Sequence, residues 1–259
     1  MFDRKKYKSF AKQQLQGRWG IPILMSVIIT IITSIFAIPD MIRTISESAN
    51  MMAAENMDQY VLAMSELSAS STSFISTIIQ TIVAGILSIA SLNVYIQMTR
   101  SPEPVSFSLF IEGLNNWFRA TLATLWQFLW IFLWSLLFII PGIIKSLEYS
   151  MMFYIVAEYK NISVTKAMKI SMIITRGHKM DIFILELSFL GWILLSCLTL
   201  GIGLIFLQPY MELTFVNTFH DLLQEAIEKG SLRLEDLDDN NMWKKEKIWK
   251  VKSNLDILF

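Results

Sequence analysis

Apolar residues along this chain gather into long uncharged runs rather than into the short stripes of a soluble core. Measured between charged residues, the runs cover 19–39, 67–99, 120–144 and 187–211. A membrane-spanning helix needs about 20 mainly apolar residues, so the simplest reading is four spans. Two of the runs carry interior breaks, Pro141-Gly142 and Gly201-Ile202-Gly203. Proline lacks an N–H and glycine tolerates unusual dihedrals, so both suit tight turns. Taken as hairpins, the pattern predicts six helices over about 21–38, 74–98, 120–140, 143–158, 182–200 and 204–220, with an outer loop over 40–72.

Charge placement separates the two readings, because Lys and Arg in short loops favour the cytoplasmic side. Four spans leave seven Lys/Arg outside and fifteen inside; six spans leave only Arg43 and Lys145 outside and twenty inside. The six-span arrangement with both ends cytoplasmic is therefore expected. Its short member is 143–158, whose 16 residues give about 24 Å of helix, less than the ~30 Å hydrocarbon core. A tilted or re-entrant segment stays open there. The N-terminal stretch 1–20 places Tyr7, Phe10, Ala11, Leu15 and Trp19 at helical spacing, which predicts an amphipathic helix on the inner leaflet.

A threefold arrangement is also visible. Amphipathic stretches 5–16, 105–112 and 164–176 each end at a glycine, Gly17, Gly113 and Gly177, close to the start of a span. The first unit differs by its outer insertion, 40–72. Three units of interfacial helix plus hairpin are the expectation, and internal repeats are common in transporters.

Composition agrees with membrane residence: 54% of residues are hydrophobic and 17% charged, against roughly 25% charged in soluble domains. Twenty-two basic residues balance twenty-two acidic ones, so no net basic excess points to nucleic acid. One Cys and two His exclude a disulfide framework and argue against a Cys/His metal cage. No phosphate-binding loop, Gly-x-Ser-x-Gly elbow or His-Glu-x-x-His occurs. No catalytic, cofactor-binding or metal-binding set is expected, and the chain is read as a non-enzyme.

An ionisable group within a span is costly and is a functional candidate for that reason. Glu212 falls near the middle of the sixth span, with Tyr210 as a possible hydrogen-bonding neighbour, and Glu186 lies one turn into the fifth. The alternative for Glu212 is a buried carboxyl tying helices together; for Glu186 it is a snorkelling interfacial residue. Trp126, Trp130 and Trp134 form one stripe along the third span. Tryptophan prefers the interface, so Trp130 near the midplane is a third candidate for ligand or lipid contact. Helix packing is the plainer explanation. In the second span Ala84, Ser88 and Ser91 offer a small-residue face. His178 and His220 are expected at the interface, and Cys197 is expected to be inert.

Beyond 221 the chain is charged. Residues 222–241 are acidic, while Met242–Phe259 is basic and aromatic with Ile248, Val251, Leu255 and Leu258 on one helical face. That segment could lie on an anionic inner leaflet.

Ordered short motifs add a family likeness. Leu15-Gln16-Gly17-Arg18-Trp19-Gly20, Pro141-Gly142-Ile143-Ile144-Lys145, Tyr149-Ser150-Met151, Leu187-Ser188-Phe189-Leu190-Gly191-Trp192, Gly201-Ile202-Gly203 and Pro209-Tyr210-Met211-Glu212 follow one another in this order. Together they resemble the bacterial integral membrane proteins of domain-of-unknown-function family 975. The resemblance implies a bacterial multi-span membrane protein and nothing catalytic; the long charged tail departs from it.

The expectation is an all-α integral membrane protein with six transmembrane helices as three hairpins and cytoplasmic interfacial helices, in a bacterial cytoplasmic membrane. Its partners would be the lipid bilayer and other membrane proteins, not nucleic acid. The leading function is a scaffold or accessory subunit of the cell envelope or of a transport or export system. The alternative is a small transporter or channel using Glu212.

Overall fold

The computed structural model describes residues 2–54, 56–69 and 71–237, with the backbone alone at 63, 66–69 and 71–74. The tail segment Met242–Phe259 and Ser70 lie outside the described residues. Every regular element among the described residues is helical: α1 Arg4–Leu15, α2 Gly20–Met52, α3 Met57–Ala69, α4 Ser71–Arg100, α5 Ser108–Leu114, α6 Trp117–Leu137, α7 Ile139–Tyr149, α8 Met152–Glu158, α9 Val164–Ile174, α10 Lys179–Leu198 and α11 Ile202–Glu228. A single 3₁₀ turn follows at Leu234–Leu237.

Five stretches are long and apolar enough to cross a membrane: Gly20–Met52, Ile75–Arg100, Trp117–Leu137, Ile139–Glu158 and Lys179–Leu198. Large apolar side chains such as Ile35, Leu129 and Leu194 are exposed on their outer faces. An apolar exterior around a packed core is what lipid contact requires, because no hydrophobic penalty attaches to it there. The chain is thus an all-helical membrane protein. α11, the sixth expected span, is long enough at 27 residues. Its Gln208, Glu212, Asn217 and His220 make it more polar, and it is not among the five.

Three differences from the sequence reading have physical causes. The outer loop expected over 40–72 is mostly helix: α2 runs on to Met52 and α3 follows. Pro39 sits inside α2, where it removes one ladder bond. Side chains of α4 support the turn around it, since Gln80 Nε2 donates to the Phe36 carbonyl at 3.2 Å and to Asp40 Oδ2 at 2.6 Å. Ser76 Oγ adds a bond to the same carboxylate. Second, the chain reverses at Phe138, which has extended dihedrals (φ −162°, ψ 151°); Pro141 and Gly142 lie in the first turn of α7. Proline is tolerated in a first turn because those N–H groups have no intrahelical acceptor. Gly142 serves packing instead, since a Cβ there would run into the Ser135 side chain of α6.

Third, the apolar face of α1 is not spread on lipid. Tyr7, Phe10, Ala11 and Leu15 are buried in the protein, and α1 packs on α11. Gln14 and Asn217 exchange two side-chain hydrogen bonds of 3.1 and 2.8 Å. Tyr7 Oη donates to Asp221 Oδ2 at 2.5 Å; burial, helped by that carboxylate, pushes the Tyr7 phenol well above its usual range.

α7 and α8 return alongside α6 over its whole length. Ser135 faces Gly142 at one end, Gln127 Nε2 donates to the Tyr149 carbonyl midway, and Arg119 binds the carbonyls of Val156, Tyr159 and Ile162 at the other. α10 and α11 are paired similarly. Ser196 meets Gly203 at their turn, where Gly201 adopts φ +84°, and His178 Nε2 lies 3.1 Å from Glu225 Oε1 at the far end.

Candidate functional site

The polar residues buried among the apolar helices gather where α4, α8 and α11 meet. α8 presents Tyr154 and Glu158 one turn apart, and α11 presents Glu212 and His220 two turns apart. Tyr154 Oη donates to Glu212 Oε2 at 3.3 Å. One turn on, Glu158 pairs with Arg100 at the end of α4 through Oε1 and with His220 Nε2 at 2.9 Å through Oε2. The Phe219 ring stacks on Tyr154 with centroids 5.8 Å apart, sealing the column with apolar surface. Glu158 and His220 side chains are only 6% and 8% exposed, so this is a buried ionic cluster rather than a surface pair.

The predicted candidates separate. Glu212 is bonded by Tyr154, not by Tyr210; the latter instead stands edge-on to Phe189 at 5.7 Å. Tyr95 of α4 bonds to Ser26 and lies within electrostatic reach of Glu212. Glu186 is exposed on α10 and is not joined to this column by a hydrogen bond or ion pair among the described residues. Pro209 is buried within α11 just before this site. Trp130 belongs elsewhere. It forms a T-shaped pair with Trp126 at 5.9 Å, and both rings pack half-buried against the main core. Their Nε1 atoms, with Gln127 Oε1, have no hydrogen-bond partner among the described residues. Trp134 lies under Lys145 Nζ at 5.0 Å. The small-residue face of α4 is real but displaced: its close approaches are Gly85 to Thr124 and Ala90 to Gly113.

Sequence reasoning missed the arginines. Arg18 donates to the carbonyls of Met98 in the last turn of α4 and of Ser101 and Glu103 just beyond it. Arg119 does the same at the end of α8. A cation at a helix C-terminus satisfies orphan carbonyls and complements the macrodipole. The available signal was position, since Arg18, Arg100 and Arg119 are the charges that bound the uncharged runs. Glu148 is a further junction, accepting from Lys145 at 2.6 Å and from Lys179; its carbonyl receives Ser171 Oγ of α9 at 2.7 Å.

Two cavities flank this core. One, of about 410 Å³, is almost wholly apolar and lies between α1 and the α10–α11 pair. The other, of about 400 Å³, is polar and lies between the α9–α10 turn and the end of α11, beside His178 and Glu225. Neither is lined by Glu212, Glu186 or Glu158. Among the described residues no group of His, Cys, Asp and Glu could hold a metal ion.

Residues 136–226 match the family model described as Protein of unknown function (DUF975). The matched segment runs from the end of α6 almost to the end of α11 and so holds Glu158, Glu186, Glu212 and His220; the motif 15–20 lies outside it. No curated protein and no solved structure matches the chain. The segment 136–226, 91 of the 259 residues, is where the chain is similar to domain-of-unknown-function family 975.

Proposed function

We propose that the protein is a non-enzymatic six-span component of a bacterial cytoplasmic membrane, acting as a scaffold or accessory subunit of the envelope or of a transport or export system. The observation that carries this reading is the use made of its buried charge. Glu212 is bonded by a tyrosine in packed surroundings, and Glu158 is balanced by Arg100 and hydrogen-bonded by His220. Such groups tie helices together, and neither cavity reaches them. A transporter built on Glu212 would instead need a polar path to that carboxylate.

The six-span count rests on the two antiparallel helix pairs and on a repeated clasp. A basic residue at the start of each outgoing helix meets the end of the returning one: Arg18 at α4, Arg119 at α8, His178 at Glu225 of α11. Each clasp follows a short helix, α1, α5 or α9. That recurrence supports three units, the first enlarged by α3. With twenty Lys/Arg on one side, the rule of basic loops favours cytoplasmic ends.

The alternative, a small transporter or channel, draws on Glu212, a carboxylate within α11 that is held by the Tyr154 hydroxyl. Glu212→Gln tests between them. The amide still accepts from Tyr154, so a structural Glu212 predicts unchanged folding, unchanged co-purifying membrane proteins and growth like the wild type. A folded, normally assembled Glu212→Gln protein that loses its cellular phenotype contradicts the scaffold reading.

A further inference from the structure

The polar cavity between the α9–α10 turn and the end of α11 carries more donors than the packing uses. Its volume of about 400 Å³ is within the ~300–1,000 Å³ of small-ligand sites. Leu222 and Ala226 of α11 make one side of it apolar, and its charged or ionisable lining is Arg176, His178, Glu225 and Lys229. His178 Nε2 lies 3.1 Å from Glu225 Oε1, and Lys229 Nζ donates to the same oxygen. One carboxylate oxygen thus gathers two basic groups on the cavity wall. The Lys229 side chain is 63% exposed, and its ammonium has donors to spare after this one bond.

Arg176 is the open group. Its guanidinium has no hydrogen-bond or ion-pair partner among the described residues, and neither has the hydroxyl of Ser231, which also lines the cavity. Residues 159–180 hold five Lys/Arg and no Asp or Glu, so the wall formed by α9 and its turn brings positive charge alone. A cationic ligand would meet Arg176 and Lys229 and is disfavoured. A neutral apolar molecule leaves the open donors without an acceptor. An oxyanion offers acceptors to guanidinium, ammonium and hydroxyl together, and such charge-assisted bonds are the strong ones. Arginine and lysine are the side chains that recognise phosphate by this chemistry.

We propose that this cavity binds a phosphate group carried by an organic molecule, with Arg176 and Lys229 meeting the oxyanion, Ser231 Oγ donating to it, and Leu222 and Ala226 against the organic part. A soluble phosphate ester and a phospholipid headgroup share that chemistry. The cavity is separate from the Glu212 column, and the assignment does not depend on the scaffold reading.

The test uses the full chain in nanodiscs of neutral dioleoyl phosphatidylcholine, at constant ionic strength set with chloride. In one arm glycerol 3-phosphate is titrated; in the other, dioleoyl phosphatidic acid replaces a rising share of the bilayer. Binding is read from the rise in melting temperature with ligand concentration, which follows for any ligand that binds only the folded chain. Stabilisation by glycerol 3-phosphate assigns a soluble ester, and stabilisation by phosphatidic acid alone assigns a headgroup. In either case Arg176→Gln should weaken binding about tenfold, the effect of losing one charge-assisted contact. Glu225→Gln keeps an amide oxygen for Lys229 and removes the one carboxylate from the lining, so it should bind as well as the wild type or more tightly. Lys169→Gln, on α9 outside the cavity, should change nothing. Arg176 and Lys169 are exposed, and melting temperatures without ligand confirm that all three variants fold. No stabilisation in either arm, an Arg176→Gln protein that binds like the wild type, or loss of binding in Glu225→Gln overturns the proposal.

Discussion

Glu158→Ala should destabilise the protein by about 3 kcal/mol, the lower end of the ~3–5 kcal/mol that follows removal of one partner from a buried ion pair. The carboxylate faces Arg100 on one oxygen and His220 on the other, and its loss takes this counter-charge from Arg100 and this hydrogen-bond partner from His220. The lower end applies because the Arg100 side chain keeps 28% of its exposure and some hydration. Most of the penalty comes from the desolvated cation that stays behind rather than from the lost attraction. The Arg100→Met/Glu158→Met double variant should therefore recover at least half of the lost stability, since it removes the desolvation cost along with the pair. Denaturant titration in mixed micelles measures both. A loss below about 1 kcal/mol for Glu158→Ala means the cluster does not hold α4, α8 and α11 together.

The second large effect is expected where α5 crosses α4. A Cβ on Gly113 would stand 2.6 Å from the Cα and 2.8 Å from the carbonyl oxygen of Ala90. Backbone on the far side cannot swing away as a side-chain tip can. Gly113→Ala should thus force the helices apart and cost about 2–3 kcal/mol, the upper range of overpacking. Gly191→Ala is the matched control. Gly191 lies inside α10 with nothing within 4 Å of its added Cβ, so the same substitution there should be neutral or stabilising by up to ~1 kcal/mol through helix propensity. Thermal melting of the two variants in parallel should give shifts of opposite sign, or a loss for Gly113→Ala alone. Equal shifts would mean that the close approach of α5 to α4 is not a constraint.

Much of the fold was written in the runs between charged residues, because an uncharged apolar stretch in a membrane protein has only helix available to satisfy its backbone. The reversals at residues 138–142 and 199–203 were also marked, by Pro141, Gly142, Gly201 and Gly203, although the first turn came three residues earlier than proline suggested. Proline rules out continuation of a helix from before it more firmly than it marks the residue where the chain turns. The helical course of 40–52 and 57–69 was hidden because its polar residues read as solvated loop, and only α4 side chains such as Gln80 and Ser76 show why the helix continues past Pro39.

The candidate site was legible in part. Glu212 stood out as a carboxylate among apolar residues, and the structure places it in the buried column. Its partner did not follow, since nothing in spacing brings Tyr154 to it across 58 residues. Glu158, Arg100 and His220 looked like ordinary charges at span ends, where snorkelling is the common fate. Tertiary packing converts those ends into a buried junction, and the helix-capping roles of Arg18 and Arg119 come from the same packing. For α1 the apolar spacing was correct and the inferred partner was wrong: amphipathicity says that a face is buried, but not whether lipid or protein covers it.

The six-span topology stands or falls on whether α7 and α8 carry the chain back along α6, so that α9 lies on the same side of the membrane as α1. Single cysteines introduced as Lys169→Cys in α9 and Asp58→Cys in α3, with the native thiol removed by Cys197→Ser, report their side through a membrane-impermeant maleimide applied to intact cells. Six spans predict labelling of Asp58→Cys from outside and of Lys169→Cys only after the membrane is opened. Labelling of Lys169→Cys in intact cells would contradict that topology.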